Sequence, residues 1–258
     1  MKLCCSTTAC PDAPLPEALS FVRQAGFDRI ELFQGWTESS PVHADYSVRT
    51  IRDHLKAHEV TPCGLNIRNL TGRKADSDER NLTYNLRQLE FDIHLARSLG
   101  VLSVNLKGGA RTQEALDDLV EGCNRLLDSI PDITLNLGNH SGNRLESLED
   151  FKAVIPHLDN RANVLLDTGH FLSVGQNILA VAEEFADRIG VVHLRDQKTD
   201  QPVPFGDGDL PFEDLFGLLH DAGFTGNLVI EMESVTWTSP LEASVESREF
   251  VEDLLGKR

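Results

Sequence analysis

Three short segments carry the groups best suited to chemistry: Asp167 in "LLDTGH", His193 in "VVHLRD" and Glu231 in "LVIEME". Each follows a run of apolar residues, which places it at the end of a strand. Two carboxylates and an imidazole converging from neighbouring strands suit a divalent cation, and Mn2+, Zn2+, Mg2+ and Co2+ all accept that donor set. His170, three residues past Asp167, is a further ligand or a contact to substrate. Each residue alone has a plainer explanation. A strand-end Asp caps the next helix, a strand His is hydrogen-bonded in the core, and a rim Glu pairs with a base. Charged ends on three consecutive strands are costly unless paired, hydrated or metal-bound, so their recurrence favours a site.

The elements that must position these groups follow from hydrophobic period. Short apolar segments fall at Lys2–Ser6, Arg29–Phe33, Pro62–Ile67, Val101–Leu106, Ile133–Leu137, Asn163–Asp167, Gly190–Leu194 and Leu228–Glu231. Amphipathic patterns alternate with them at Pro16–Ala25, Ser47–His58, Glu79–Leu99, Gln113–Ser129, Leu148–His157, Asn177–Asp187, Phe212–Ala222 and Leu241–Leu255. Glycines in "QAGF", "SLGV" and "DAGF" mark helix ends. Eight β-then-α units in 258 residues predict one α/β domain over 1–258, a (β/α)8 TIM barrel. An open doubly wound sheet is the alternative, but no G-x-G-x-x-G turn follows the first strand.

Function in such a barrel sits at the C-terminal strand ends. Those ends read Glu31, Asn66 and Arg68, Lys107, Gly138-Asn139-His140, Asp167 and His170, His193 to Asp196, then Glu231 and Glu233. Lys107 precedes two glycines, where backbone can approach a ligand closely. Arg195 lies two residues past His193 and so faces the same side. With Glu31, these two are expected to hold substrate, although each would serve equally as a surface charge.

Composition narrows the partners. Lys and Arg number 24 against 41 Asp and Glu, a net charge of −17 that repels phosphate backbones and anionic lipid. A nucleic-acid or membrane partner is therefore not expected. Five cysteines lack metal-finger or redox spacing. No apolar run reaches the roughly 20 residues of a spanning helix. These features predict a cytoplasmic protein, alone or as a homo-oligomer.

The segments "LLDTGH", "VVHLRD" followed by "VPFGDGDLPF", and "LVIEME" resemble the xylose isomerase-like barrel superfamily, the sugar phosphate isomerase/epimerase group that also includes endonuclease IV-like enzymes. The resemblance runs from the opening strand and "AGFDRIEL" to the final strand. It implies one divalent ion, most often Mn2+, held by Glu, Asp, His and Glu from strands five to eight. The last three positions match Asp167, His193 and Glu231.

The first position does not match, because the fifth strand ends Gly138-Asn139-His140 where many relatives have Glu-Asn-His. His140 could swing in as the fourth ligand, water could fill the gap, or Glu146 could reach back; His140 is favoured because imidazole ligates Mn2+ and Zn2+ readily. Loss of catalysis is a fourth possibility. The leading expectation is a metal-dependent sugar or keto-sugar isomerase or epimerase. Glu231 would be ligand and base, with His140 or His170 moving the second proton. A lyase or dehydratase on an oxidised sugar, cyclitol or 3-oxo-glycoside is the alternative, and a non-catalytic sugar-binding barrel the third. The endonuclease reading fails on its missing histidines in "GLNIRN" and "VNLKGG".

Overall fold

The structure is a computed structural model that describes residues 1–35, 37–70, 82–199, 201–233 and 238–257. Its strands are β1 (Lys2–Ser6), β2 (Arg29–Phe33), β3 (Thr61–Asn66), β4 (Ser103–Lys107), β5 (Thr134–Gly138), β6 (Ala162–Asp167), β7 (Ile189–Leu194), the short β8 (Gln197–Lys198) and β9 (Gln201–Pro202), and β10 (Asn227–Ile230). Eight of them close into one parallel barrel in the order β1-β10-β7-β6-β5-β4-β3-β2, as the repeated unit predicts. Its helices are α1 (Leu15–Gln24), α2 (Val48–Ala57), α3 (Leu82–Ser98), α4 (Gln113–Ser129), α5 (Leu148–Val154), α6 (Thr168–Ser173), α7 (Ile178–Glu184), α8 (Phe212–Asp221) and α9 (Pro240–Gly256). Among the described residues, no helix is long and apolar enough to cross a membrane.

The departures from the sequence reading have local causes. The start of the expected Glu79–Leu99 helix lies outside the described residues. The expected Leu148–His157 helix is α-helical only to Val154 and then tightens into a 3-10 turn at Ile155–His157. Pro156 has no N–H for the α-helical bond there. Val101 belongs to the exit of α3 rather than to β4, since its N–H donates to the Ala96 carbonyl at 2.9 Å. The sequence reading did not foresee α6, the β8–β9 hairpin or the 3-10 turn at Thr7–Ala9. The glycines ending α1, α3 and α8 do take left-handed φ, +87° at Gly26, +81° at Gly100 and +73° at Gly223.

Alternation along the strands decides what faces inward. Most buried apolar residues form one continuous layer between barrel wall and helices. Within the barrel a separate small cluster joins Cys4, Cys63, Leu165, Val191 and Val229. Counting two residues onward from Leu165, Val191 and Val229 gives Asp167, His193 and Glu231. Period two therefore directs all three into the barrel, above an apolar plug.

Candidate active site

Asp167, at the end of β6, is fully buried and uses its two oxygens differently. Oδ1 accepts from the His170 N–H at 2.9 Å and caps α6. Oδ2 faces the site, 3.4 Å from Arg195 Nη2, 3.7 Å from His170 Nε2 and 3.9 Å from His193 Nδ1. One carboxylate oxygen thus caps the helix while the other faces Arg195, His170 and His193. Glu231, one residue past β10, places Oε2 2.7 Å from Arg195 Nη2 and 3.3 Å from His193 Nδ1. Among the described residues, Asp167, His193 and Glu231 form a group whose ligand atoms all lie within 4.8 Å of one another.

His193 is the hinge of the arrangement. Nδ1 faces Asp167 and Glu231, while Nε2 lies 2.9 Å from Glu31 Oε2. Neither nitrogen has an aligned hydrogen bond, although both are buried. An orphaned imidazole nitrogen between two carboxylates fits a cation, with the opposite nitrogen steadied by a third carboxylate. Burial pushes the imidazole pKa down, but Glu31 and Glu231 outweigh it and hold the ring at about 10. Burial pushes the Asp167 and Glu231 carboxyls up. Facing groups reverse this and hold both below the usual range, the His170 ring and the Arg195 guanidinium for Asp167, Arg195 and His193 for Glu231.

Glu31 is placed differently from expectation. It is 1% exposed and sits under His193 instead of on the cavity wall. Asn66 Nδ2 donates to its Oε2 at 2.6 Å and Asn105 Nδ2 to its Oε1 at 2.7 Å. Asn136 continues the chain, donating to Asn105 Oδ1 and to Ser103 Oγ at 2.8 Å each. Gly64 makes room, since a Cβ there would lie 2.9 Å from Glu31 Oε1.

Arg195 is 11% exposed at its side chain and holds Asp167, Glu231 and, at 3.1 Å, Glu233. It too is a tether among the carboxylates before it is a substrate contact. Thr168 fixes its backbone: the Thr168 hydroxyl donates to the Arg195 carbonyl at 2.9 Å and accepts from its N–H at 3.0 Å. Lys107, by contrast, lines a cavity of about 580 Å³ together with Asn66, His140, His170 and Glu231. His140 lies outside the ligand group. Its ring packs on His170 with centroids 4.3 Å apart, and Nδ1 is 2.8 Å from the Ser141 carbonyl. Glu146 is likewise engaged elsewhere, 2.9 Å from Arg111. His170 is pushed down by burial to about 4 despite Asp167 beside it.

The sequence profile of the xylose isomerase-like TIM barrel family matches residues 19–254. The chain belongs to this family. Among curated relatives, an inosose dehydratase of Geobacillus thermodenitrificans is 27% identical over 168 residues, covering 56% of each chain. An inosose dehydratase of Clostridium perfringens is 27% identical over 165 residues, covering 55% of each. The chain thus spans about half the length of the curated relatives it matches. Among solved structures, an L-ribulose 3-epimerase superposes with a TM-score of 0.82 at 19% identity, covering 100% of this chain and 97% of that one. An IolI protein with a zinc atom superposes at 0.80 with 20% identity, covering 100% and 99%. At these identities the solved structures establish the shared barrel.

Sequence reasoning did not single out Asn105, Asn136 or Thr168. A signal was present for the first two. In "SVNLK" and "TLNLG" an amide interrupts an apolar strand, two residues before Lys107 and Gly138 and on the same face.

Proposed function

We propose that the protein is a metal-dependent enzyme that removes a proton beside a carbonyl of a sugar or keto-sugar, as an isomerase or epimerase does. The observation that carries this is the Asp167–His193–Glu231 group, with Glu231 also on the cavity wall. Asp167, His193 and Glu231 would hold one divalent cation, Mn2+ first. When bound it would polarise the substrate oxygens and make the neighbouring C–H more acidic. The zinc of the IolI protein supports a cation in this fold. Glu231 takes the proton, and Arg195 keeps its carboxylate aimed and charged. His170 and His140 form one wall against which the substrate lies. Asn66 and Lys107 offer hydrogen bonds to hydroxyls.

Elimination of water after the same first step is the second reading. The inosose dehydratases among the relatives favour it, as does Gly138, which puts no carboxylate at the end of β5. All five cysteines are free, which suits a reducing cytoplasm.

The test is proton exchange. With Mn2+ present in D2O, the protein should introduce deuterium beside the carbonyl of a keto-sugar, an inosose or a 3-oxo-glycoside, and Glu231→Gln should abolish it. Undiminished exchange in Glu231→Gln would refute the assignment of the base. Sugar binding without metal uptake or exchange would leave a binding protein instead.

A further inference from the structure

Four large apolar side chains stand exposed among the described residues, and three of them belong to α3 or its exit. Tyr84 and Phe91 lie seven residues apart on α3, two turns along one face, and Leu102 follows the helix. Phe91 is 73% exposed near the middle of α3. Leu86, Leu89, Ile93 and Ala96 bury the opposite face, so the aromatic pair points away from the barrel.

The helices on either side carry opposite charge. α2, α3 and α4 follow the neighbouring strands β2, β3 and β4, so α3 stands between the other two. Arg49, Arg52 and Lys56 are the second, fifth and ninth residues of α2, and all three are exposed. Glu114, Asp117 and Glu121 are the second, fifth and ninth residues of α4, and are exposed likewise. Steps of three and four keep each triplet on one side of its helix. Asp53 is the single acid of α2, and Arg125 the single Lys or Arg of α4. Among the described residues no carboxylate pairs with Arg49, Arg52 or Lys56, although the chain has 41 Asp and Glu against 24 Lys and Arg. Gln113 and Arg125 meet Asp117 and Glu121 within α4, but exposed pairs of that kind are weak.

We infer that this face, α3 flanked by α2 and α4, binds a second copy of the chain. The complement of the α2 triplet, in charge and in spacing, lies on the chain's own α4, and that match names the occupant. A two-fold axis along α3 sets Phe91 on the partner's Phe91 and lays α2 over the partner's α4, so each basic triplet meets an acidic one. The barrel strands are parallel, so the helices between them start at the same end, and residues of equal rank come to similar heights. An axis across α3 would instead set α2 against α2 and α4 against α4, opposing like charges. Each copy carries a net charge of −17, so two chains repel wherever acid meets acid. Apolar contact along α3 supplies attraction at the centre. None of these residues lines the cavity that carries Glu231, so the inference stands apart from the catalytic reading.

The test is sedimentation velocity on the full chain at concentrations up to about 100 μM. Wild-type protein should sediment with twice the mass of one chain. Phe91→Asp should give single chains with unchanged far-ultraviolet circular dichroism. Arg52→Asp and Asp117→Arg should each weaken association by about tenfold, since either one opposes like charges at two places. Combined in one chain, the two reversals should restore association to within about threefold of wild type. Wild-type protein that stays a single chain overturns the inference and leaves the face to a different partner or to none. A dimer whose strength Phe91→Asp does not change lies on another face and overturns it too. Failure of the combined reversal to recover what either single change loses overturns the docking of α2 on α4.

Discussion

Loading the site with a cation should expel a proton from His193, and the size of the effect follows from its surroundings. In the metal-free protein Glu31 and Glu231 flank the buried ring and hold its pKa at about 10, above an ordinary value of 6.5. At pH 7 the ring is therefore protonated, about three units below its titration. A cation taking Nδ1 must first displace that proton, which weakens binding by about 10³-fold, or about 4 kcal/mol. The sign follows directly. Apparent affinity should tighten about tenfold for each unit of rising pH and level off near pH 10. Calorimetric titration of metal-free protein with Mn2+, in buffers of different ionisation enthalpy, counts the protons released. Between pH 7 and 8 the release should be close to one per cation. His193→Gln should weaken binding and remove the release. Affinity that stays flat over this interval, with no buffer dependence, would refute the placement of the cation on His193.

The same shift predicts how the metal-free fold responds to pH. Its folded value exceeds the unfolded one, so the His193 contribution is complete below pH 6.5 and is lost as pH rises toward about 10; a melting temperature that climbs over that interval would contradict it. Glu31→Gln should weaken Mn2+ binding by about 10- to 100-fold and lower the melting temperature of the metal-free protein, because the buried His193 loses a charge partner; equal affinity would show that the carboxylate under His193 does not steady it. Gly138→Glu should leave Mn2+ affinity within about threefold of wild type, because the new carboxylate starts beside the Lys107 ammonium and pairs with it; a tenfold tightening would mean that it reaches the cation. Asp150→Ala removes the capping box of α5 together with the Arg111 pair and should cost about 1–2 kcal/mol in denaturant unfolding.

The barrel was legible because each strand is a short apolar run and each helix a long amphipathic one, and the alternation repeats without interruption. The clustering of three residues at the barrel mouth was legible for a related reason. Asp167, His193 and Glu231 each stand two residues past an inward apolar side chain, so periodicity alone gives their direction. Depth was not legible. Glu31 shares the inward face, yet a register shift between Ile30 and Glu31 in the β2–β3 pairing and the space at Gly64 let it sink beneath His193. Nor was the pairing of Lys107 with Gly138, since it depends on which strands become neighbours and on what one of them lacks. Asp167 reads in the sequence as a cap or as a site residue; in the fold one oxygen caps the helix and the other faces Arg195, His170 and His193.

The amide chain from Ser103 through Asn136 and Asn105 to Glu31 gives His193 a dependence on residues outside the Asp167–His193–Glu231 group. Asn136 donates to Ser103 and Asn105, and Asn105 donates to Glu31, so reversing one amide changes what its neighbour meets. Replacements along it should combine non-additively in double-mutant cycles, where equally distant apolar positions in the same barrel would simply sum. A designer who wished to retune the site without touching its ligands would begin at Asn136.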